Sequence, residues 1–119
     1  MLKRSPLAPA HFPALPKVDG VRVAGLSAGL KKGKKRDLFV ADLKAGTTIA
    51  GTFTTSQCPS APVDWCRQAI DRGKARAIIV NSGNANAFTG KAGDRTVAET
   101  VKAAVRHFNC RKADVFLAS

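Results

Sequence analysis

A chain of 119 residues is one domain or a piece of one, and 45% hydrophobic content is that of a globular protein rather than a disordered or fibrous one. No run of eighteen apolar residues occurs, which excludes a membrane-spanning helix. The formal net charge of +12 favours anionic partners (nucleic acid, anionic lipid or anionic metabolites), but the basic residues are spread along the chain except at KKGKKR, Lys31–Arg36, and that spread weighs against nucleic acid.

Pro6, Pro9, Pro13 and Pro16 predict an extended, Pro-rich leader over residues 1–17, poor in backbone donors. It lacks the apolar core of a secretory signal, and His11 within it reads as solvated. A strand pattern starts at Val21, where Val21 and Val23 alternate about Arg22. The lysine run then reads as a charged turn. DLFVADL, Asp37–Leu43, is a short apolar run between acids and predicts a strand. Beyond the AGTT turn, Ile49, Gly51 and Phe53 alternate with Ala50, Thr52 and Thr54, a two-residue period. Residues 37–55 are therefore expected to form a hairpin.

Ser60 is placed to cap a helix with Pro62 in its first turn, and Val63, Cys66 and Ile70 would share its buried face over residues 61–70. DRGKA breaks that helix. RAIIV leads a buried strand over residues 76–81. Val97, Val101, Ala104, Val105 and Phe108 recur at helical spacing and predict a helix over 92–108, with Asn109 as its stop. DVFLAS begins a last strand over 114–118. The expected fold class is α/β, a mixed sheet from residues 21–55, 76–81 and 114–118 layered with two helices. Ending in a strand without cap or polar tail reads as truncation of a unit covering residues 18–119. Sheet edges left open in such a piece favour aggregation.

Cys58, Cys66 and Cys110 form no CxxC pair and are odd in number. They read as buried, reduced thiols of a cytoplasmic protein, with no metal site and no cofactor expected. His107, near a helix end, suits the helix dipole better than general-base work, since no nucleophile is paired with it in sequence. Asp64 with Arg67, and Glu99 with Lys102 and Arg106, are expected as weak pairs on helix surfaces.

The segment NSGNANAFTG after the apolar run AIIV carries three asparagines and two glycines and no charge. Asn and Gly tolerate left-handed backbone, which a sharp strand-to-helix connection needs. The same amides offer donors and acceptors without charge, at the strand end where α/β proteins hold ligands. Asn81, Ser82, Gly83, Asn84 and Asn86 are thus candidates for shaping a pocket. There is no Walker phosphate loop, because no G-K-[ST] follows at the required spacing.

VNSGNANAFTG, Val80–Gly90, resembles a signature of the ornithine acetyltransferase family, the bifunctional glutamate N-acetyltransferases of arginine biosynthesis. VRVAGLSAGLK, DLFVADL, AGTFTTSQCPSAPV and the closing VFLAS resemble further segments of that family in the same order, so that the resemblance runs from about Val18 to Ser119. It implies the N-terminal part of the family's alpha chain, with a layered α/β fold similar to that of the amino-terminal-nucleophile enzymes. It also implies ping-pong transfer of acetyl from N-acetylornithine to glutamate through a threonine freed by self-cleavage. Some members accept acetyl-CoA as a substrate. The implied partners are the rest of the alpha chain and the beta chain, assembled as a hetero-oligomer, with neither nucleic acid nor membrane. The family's oxyanion Thr-Gly pair and its nucleophilic threonine would lie beyond Ser119, so the resemblance assigns no catalytic residue within these residues. Thr89-Gly90 sits in a different motif. The chain alone is accordingly expected to be inactive. The alternatives are a small basic nucleic-acid-binding module and a structural remnant of the enzyme.

Overall fold

The computed structural model describes residues 4–119, and residues 1–3 of the expected leader lie outside the described residues. Residues 4–17 form no helix or strand and are almost wholly exposed. Four strands follow: β1 (Val21–Leu26), β2 (Leu38–Leu43), β3 (Ala77–Asn81) and β4 (Val115–Ala118). Two helices stand between them, α1 (Ala61–Ala69) and α2 (Gly90–Phe108), each with a neighbouring 3₁₀ turn at Ile70–Arg72 and Lys112–Asp114. The sheet order is β1-β2-β3-β4, antiparallel except for the parallel pair β3–β4. A parallel pair cannot be closed by a tight turn, and α2 supplies the crossover.

Register sorts the side chains. Val40 lies opposite Ile79, and Ile79 opposite Leu117, so all three face one way. Val97, Val101 and Ala104 of α2 pack there against Val115, Leu117 and half-buried Ile79. On the other face Ala41, Leu43 and Phe116 meet Cys66 and Ala69 of α1. Trp65 touches both clusters. Its indole Nε1 donates to the carbonyl of Val115 at 2.8 Å. The Cys66 thiol donates to the carbonyl of Leu117 and accepts from its N–H, both at 3.3 Å. These β4 groups point away from β3, so α1 closes the outer edge of β4 and satisfies backbone groups that an open edge would leave unpaired.

The expected hairpin over residues 37–55 does not form. β2 pairs with β1 on one side and β3 on the other, so neither edge is free for residues 49–55. Thr48 makes only an isolated bridge to Lys74. Ile49 and Phe53 still pack on the core, so their alternation reports burial rather than ladder pairing. The sheet therefore takes only residues 21–26 and 38–43 from the range 21–55, and the hairpin present is β1–β2, closed through the lysine run.

The α1 face is Pro62, Cys66 and Ala69, rotated slightly from the expected one because the helix faces the β4 edge as well as the sheet. Ser60 occupies the N-cap position but makes no side-chain cap bond. Asn109 ends α2 at φ 47° with its N–H on the carbonyl of Val105. Cys66 is buried and Cys110 half-buried, but Cys58 is exposed, contrary to the expectation of three buried thiols. Asp64 and Arg67 pair at 3.4 Å, whereas Glu99 makes no ion pair among the described residues. Among the described residues no helix is long and apolar enough to cross a membrane.

Candidate functional site

A cavity of about 300 Å³ opens where the parallel strands β3 and β4 end and α2 begins. That volume suits a small metabolite. Its floor is apolar, with Ile79, Val97 and Leu117 among the lining residues. Its polar lining is Asn81, Asn84, Asn86, Thr89, Thr96 and Thr100, and no lining residue is charged.

Three of the five residues singled out in the sequence, Asn81, Asn84 and Asn86, line the cavity, whereas Ser82 and Gly83 do not. Each asparagine has its own position. Asn81 ends β3 and donates through Nδ2 to the carbonyl of Asn84 at 2.7 Å, which closes the loop on itself. Asn86 ties four segments together. Its Nδ2 donates to the carbonyl of Gly93 at 3.1 Å, its Oδ1 accepts from the Thr89 hydroxyl, its N–H donates to the Ser119 hydroxyl at 2.9 Å, and its carbonyl accepts from Ala61 N–H at 3.2 Å. Asn84 is exposed, and its carboxamide has no hydrogen bond among those of the described residues. Gly93 permits this arrangement. A Cβ there would stand 2.1 Å from the Thr89 hydroxyl and 2.5 Å from Asn86 Oδ1, closer than atoms can approach.

Composition alone does not mark the threonines. Thr89, Gly93, Thr96 and Thr100 follow one another at steps of four, three and four, a single stripe along α2. Thr96 donates to the carbonyl of Ala92 at 3.0 Å, and Thr100 to that of Thr96 at 2.8 Å. Their hydroxyl protons are thus spent on the helix, and what they can present to the cavity is acceptor lone pairs.

Beside the cavity the lysine run is held by Asp37, which is 2% exposed. Its carboxylate accepts from the N–H of Ala28 at 2.6 Å and of Lys31 at 2.8 Å. Those bonds hold the carboxyl below the usual carboxylate range, against the upward push of burial. The carbonyl of Asp37 accepts from Ser82 N–H at 2.8 Å, so one residue anchors both the lysine loop and the amide loop. His107, which stands edge-on to Phe108 with centroids 4.7 Å apart, lies outside this cavity. Burial raises the Cys66 thiol above its ordinary range, which makes it a poor nucleophile at neutral pH.

The ArgJ family model matches residues 22–119. The chain is 53% identical to the arginine biosynthesis bifunctional protein ArgJ of Mesorhizobium japonicum over 115 residues, which are 97% of this chain and 28% of that protein. The corresponding protein of Bradyrhizobium diazoefficiens is 50% identical over the same shares. The chain thus spans 28% of the length of these curated relatives. Among solved structures, ornithine acetyltransferase from Mycobacterium tuberculosis complexed with ornithine superposes with a TM-score of 0.73 at 36% identity, covering 85% of this chain and 56% of that one. ArgJ from Bacillus halodurans superposes with a TM-score of 0.75 at 31% identity, covering 84% and 53%. With the fold, the amide loop and the family model in agreement along most of its length, the chain belongs to the ArgJ family.

Proposed function

We propose that this chain is the N-terminal part of the alpha chain of an acetyltransferase that moves acetyl from N-acetylornithine to glutamate in arginine biosynthesis. In this reading a threonine hydroxyl from outside the 119 residues attacks the acetyl carbonyl. The amide C–N bond breaks, ornithine leaves with a proton on its amine, and an acetyl ester remains on the threonine. The amine of glutamate then attacks the ester, and the threonine oxygen recovers its proton. No cofactor is required, and acetyl-CoA enters only as an alternative acetyl donor. The remaining alpha-chain residues and a beta chain complete the enzyme, a hetero-oligomer of the cytoplasm.

The observation that carries this reading is a cavity lined by amides and hydroxyls and by no charge, in a chain of this family. An N-acetyl group is a neutral amide with one donor and one acceptor. The free Asn84 carboxamide offers both partners without shifting the ionisation of an incoming amine. Ala118 lines the cavity as well, so the end of β4 reaches the site where the reading needs further groups.

The test uses a chimera in which this chain replaces the matching residues of the M. japonicum relative. The chimera should catalyse acetyl exchange between N-acetylornithine and glutamate, and the 119-residue chain alone should not. In the chimera Asn84→Ala should lower kcat/KM about tenfold, the loss of one hydrogen bond to the substrate. Robust turnover by the isolated chain, or an Asn84→Ala chimera with unchanged kcat and KM, contradicts the proposal.

A further inference from the structure

The acetyl group of the proposed substrates is neutral, but their α-carboxylate is not. No residue of this chain that lines the cavity is charged, so a cationic partner for that carboxylate has to come from beside the cavity or from the rest of the enzyme. Within this chain the lysine run is one candidate, because Leu30 just before it and Leu38 just after it line the cavity. Lys31 differs from its neighbours: it is half-buried, while Lys32, Lys34, Lys35 and Arg36 are exposed.

The cause is the backbone of the amide loop. Gly83 has φ 102°, and a Cβ built there would stand 2.6 Å from Lys31 Cγ and 3.1 Å from Cε. The stem of Lys31 therefore lies across the space that only a glycine leaves open. Gly83 sits directly before cavity-lining Asn84, and Leu30, directly before Lys31, also lines the cavity. The position of Lys31 is fixed at its other end too, by the buried Asp37 carboxylate on its backbone N–H. Asp37 uses backbone donors there, and Lys31 makes no ion pair among the described residues.

We propose that Lys31 is the residue that recognises the α-carboxylate of the amino-acid substrate at the rim of the cavity. This rests on the acetyl-transfer reading. Asp37 and Gly83 act as positioning residues, one holding the lysine's backbone and the other making room for its stem. A charge-assisted contact of this kind favours acids over their uncharged carboxamides. It acts alike on the bound substrate and the transition state, so it belongs in KM rather than kcat.

The experiment uses the same chimera, with N-acetylornithine and its carboxamide analogue as acetyl donors. Lys31→Met should raise KM for the acid about 10- to 100-fold, with kcat within about twofold and little change in KM for the carboxamide. Lys31→Arg should keep most of the affinity for the acid. Gly83→Ala, which displaces the stem without removing the charge, should move the acid's KM in the same direction. Turnover of the carboxamide by each variant shows that the fold is intact. If Lys31→Met leaves the acid's KM unchanged, or raises KM equally for both donors, the carboxylate role is overturned while acetyl transfer stands. If the unmodified chimera transfers no acetyl group, both readings fall together.

Discussion

Asp37 shows how one residue can organise two loops, one through its carboxylate and one through its main chain. Its oxygens receive the N–H groups of Ala28 and Lys31, and its own carbonyl receives that of Ser82. A carboxylate bonded to backbone donors is favoured in its charged form, so its folded pKa lies below its unfolded one. Asp42 shifts the same way, first through its bond from Arg22 and further through Arg76 at 3.1 Å. The stability contributed by both is then complete above the unfolded carboxylate range, about pH 4, and is lost as pH falls through the folded values. Urea unfolding of the chain between about pH 7 and pH 3 should show a steady loss of stability at the acid end. Asp37→Asn cannot ionise, and it places an amide where two N–H groups need an acceptor. The variant should be less stable at neutral pH and less sensitive to acid. An unchanged acid slope would show that Asp37 carries no linkage.

At the scale of elements, periodicity identified what depends on local pattern and missed what depends on competition. Val97, Val101 and Ala104 set the buried face of α2 by spacing alone, and Asn109 marks its end. TIAGTFTT has the period of a strand but finds both edges of β2 occupied, and nothing local in sequence reports that occupancy. The site divides in the same way. Asn81, Asn84 and Asn86 stand out by composition, while Thr96 and Thr100 emerge only when α2 is wound and its polar stripe is aligned with the amide loop. Lys31 is indistinguishable from its neighbours until the backbone of Gly83 is known. The contact of α1 with β4 was equally hidden, because it uses an indole N–H and a thiol on main-chain groups fifty residues away or more. Trp65→Phe keeps most of the ring but leaves the Val115 carbonyl unpaired at the β4 edge. It should destabilise the chain by about 1–2 kcal/mol, read as a lower urea midpoint with an unchanged m-value. A neutral result would mean that water replaces the indole and that α1 holds the edge through Cys66 and packing.

For the molecule as a whole, the sheet is closed on one side only. α1 seals the outer edge of β4, whereas β1 pairs with β2 and shows its other edge and both faces to solvent. Val23 is 64% exposed and Leu26 is 49% exposed, on opposite faces of that strand. A groove of about 980 Å³ also runs between β1, β2 and α2, with Leu26, Val40 and Phe108 in its walls. An unpaired apolar edge is a template for pairing with another copy. The net charge of +12 opposes such contact by repulsion, which salt screens within about 8 Å at physiological strength. The balance gives the prediction a sign. The isolated chain should associate with rising concentration, and more strongly as salt is added. Sedimentation velocity at low and at physiological salt measures this directly. Val23→Lys places a further charge on the open strand without entering either core cluster, so it should weaken association and leave the unfolding midpoint almost unchanged. A chain that stays monomeric at every salt concentration would show that β1 is protected already. One that associates at low salt and separates at high salt would show that charge pairing, not the apolar strand, brings the copies together.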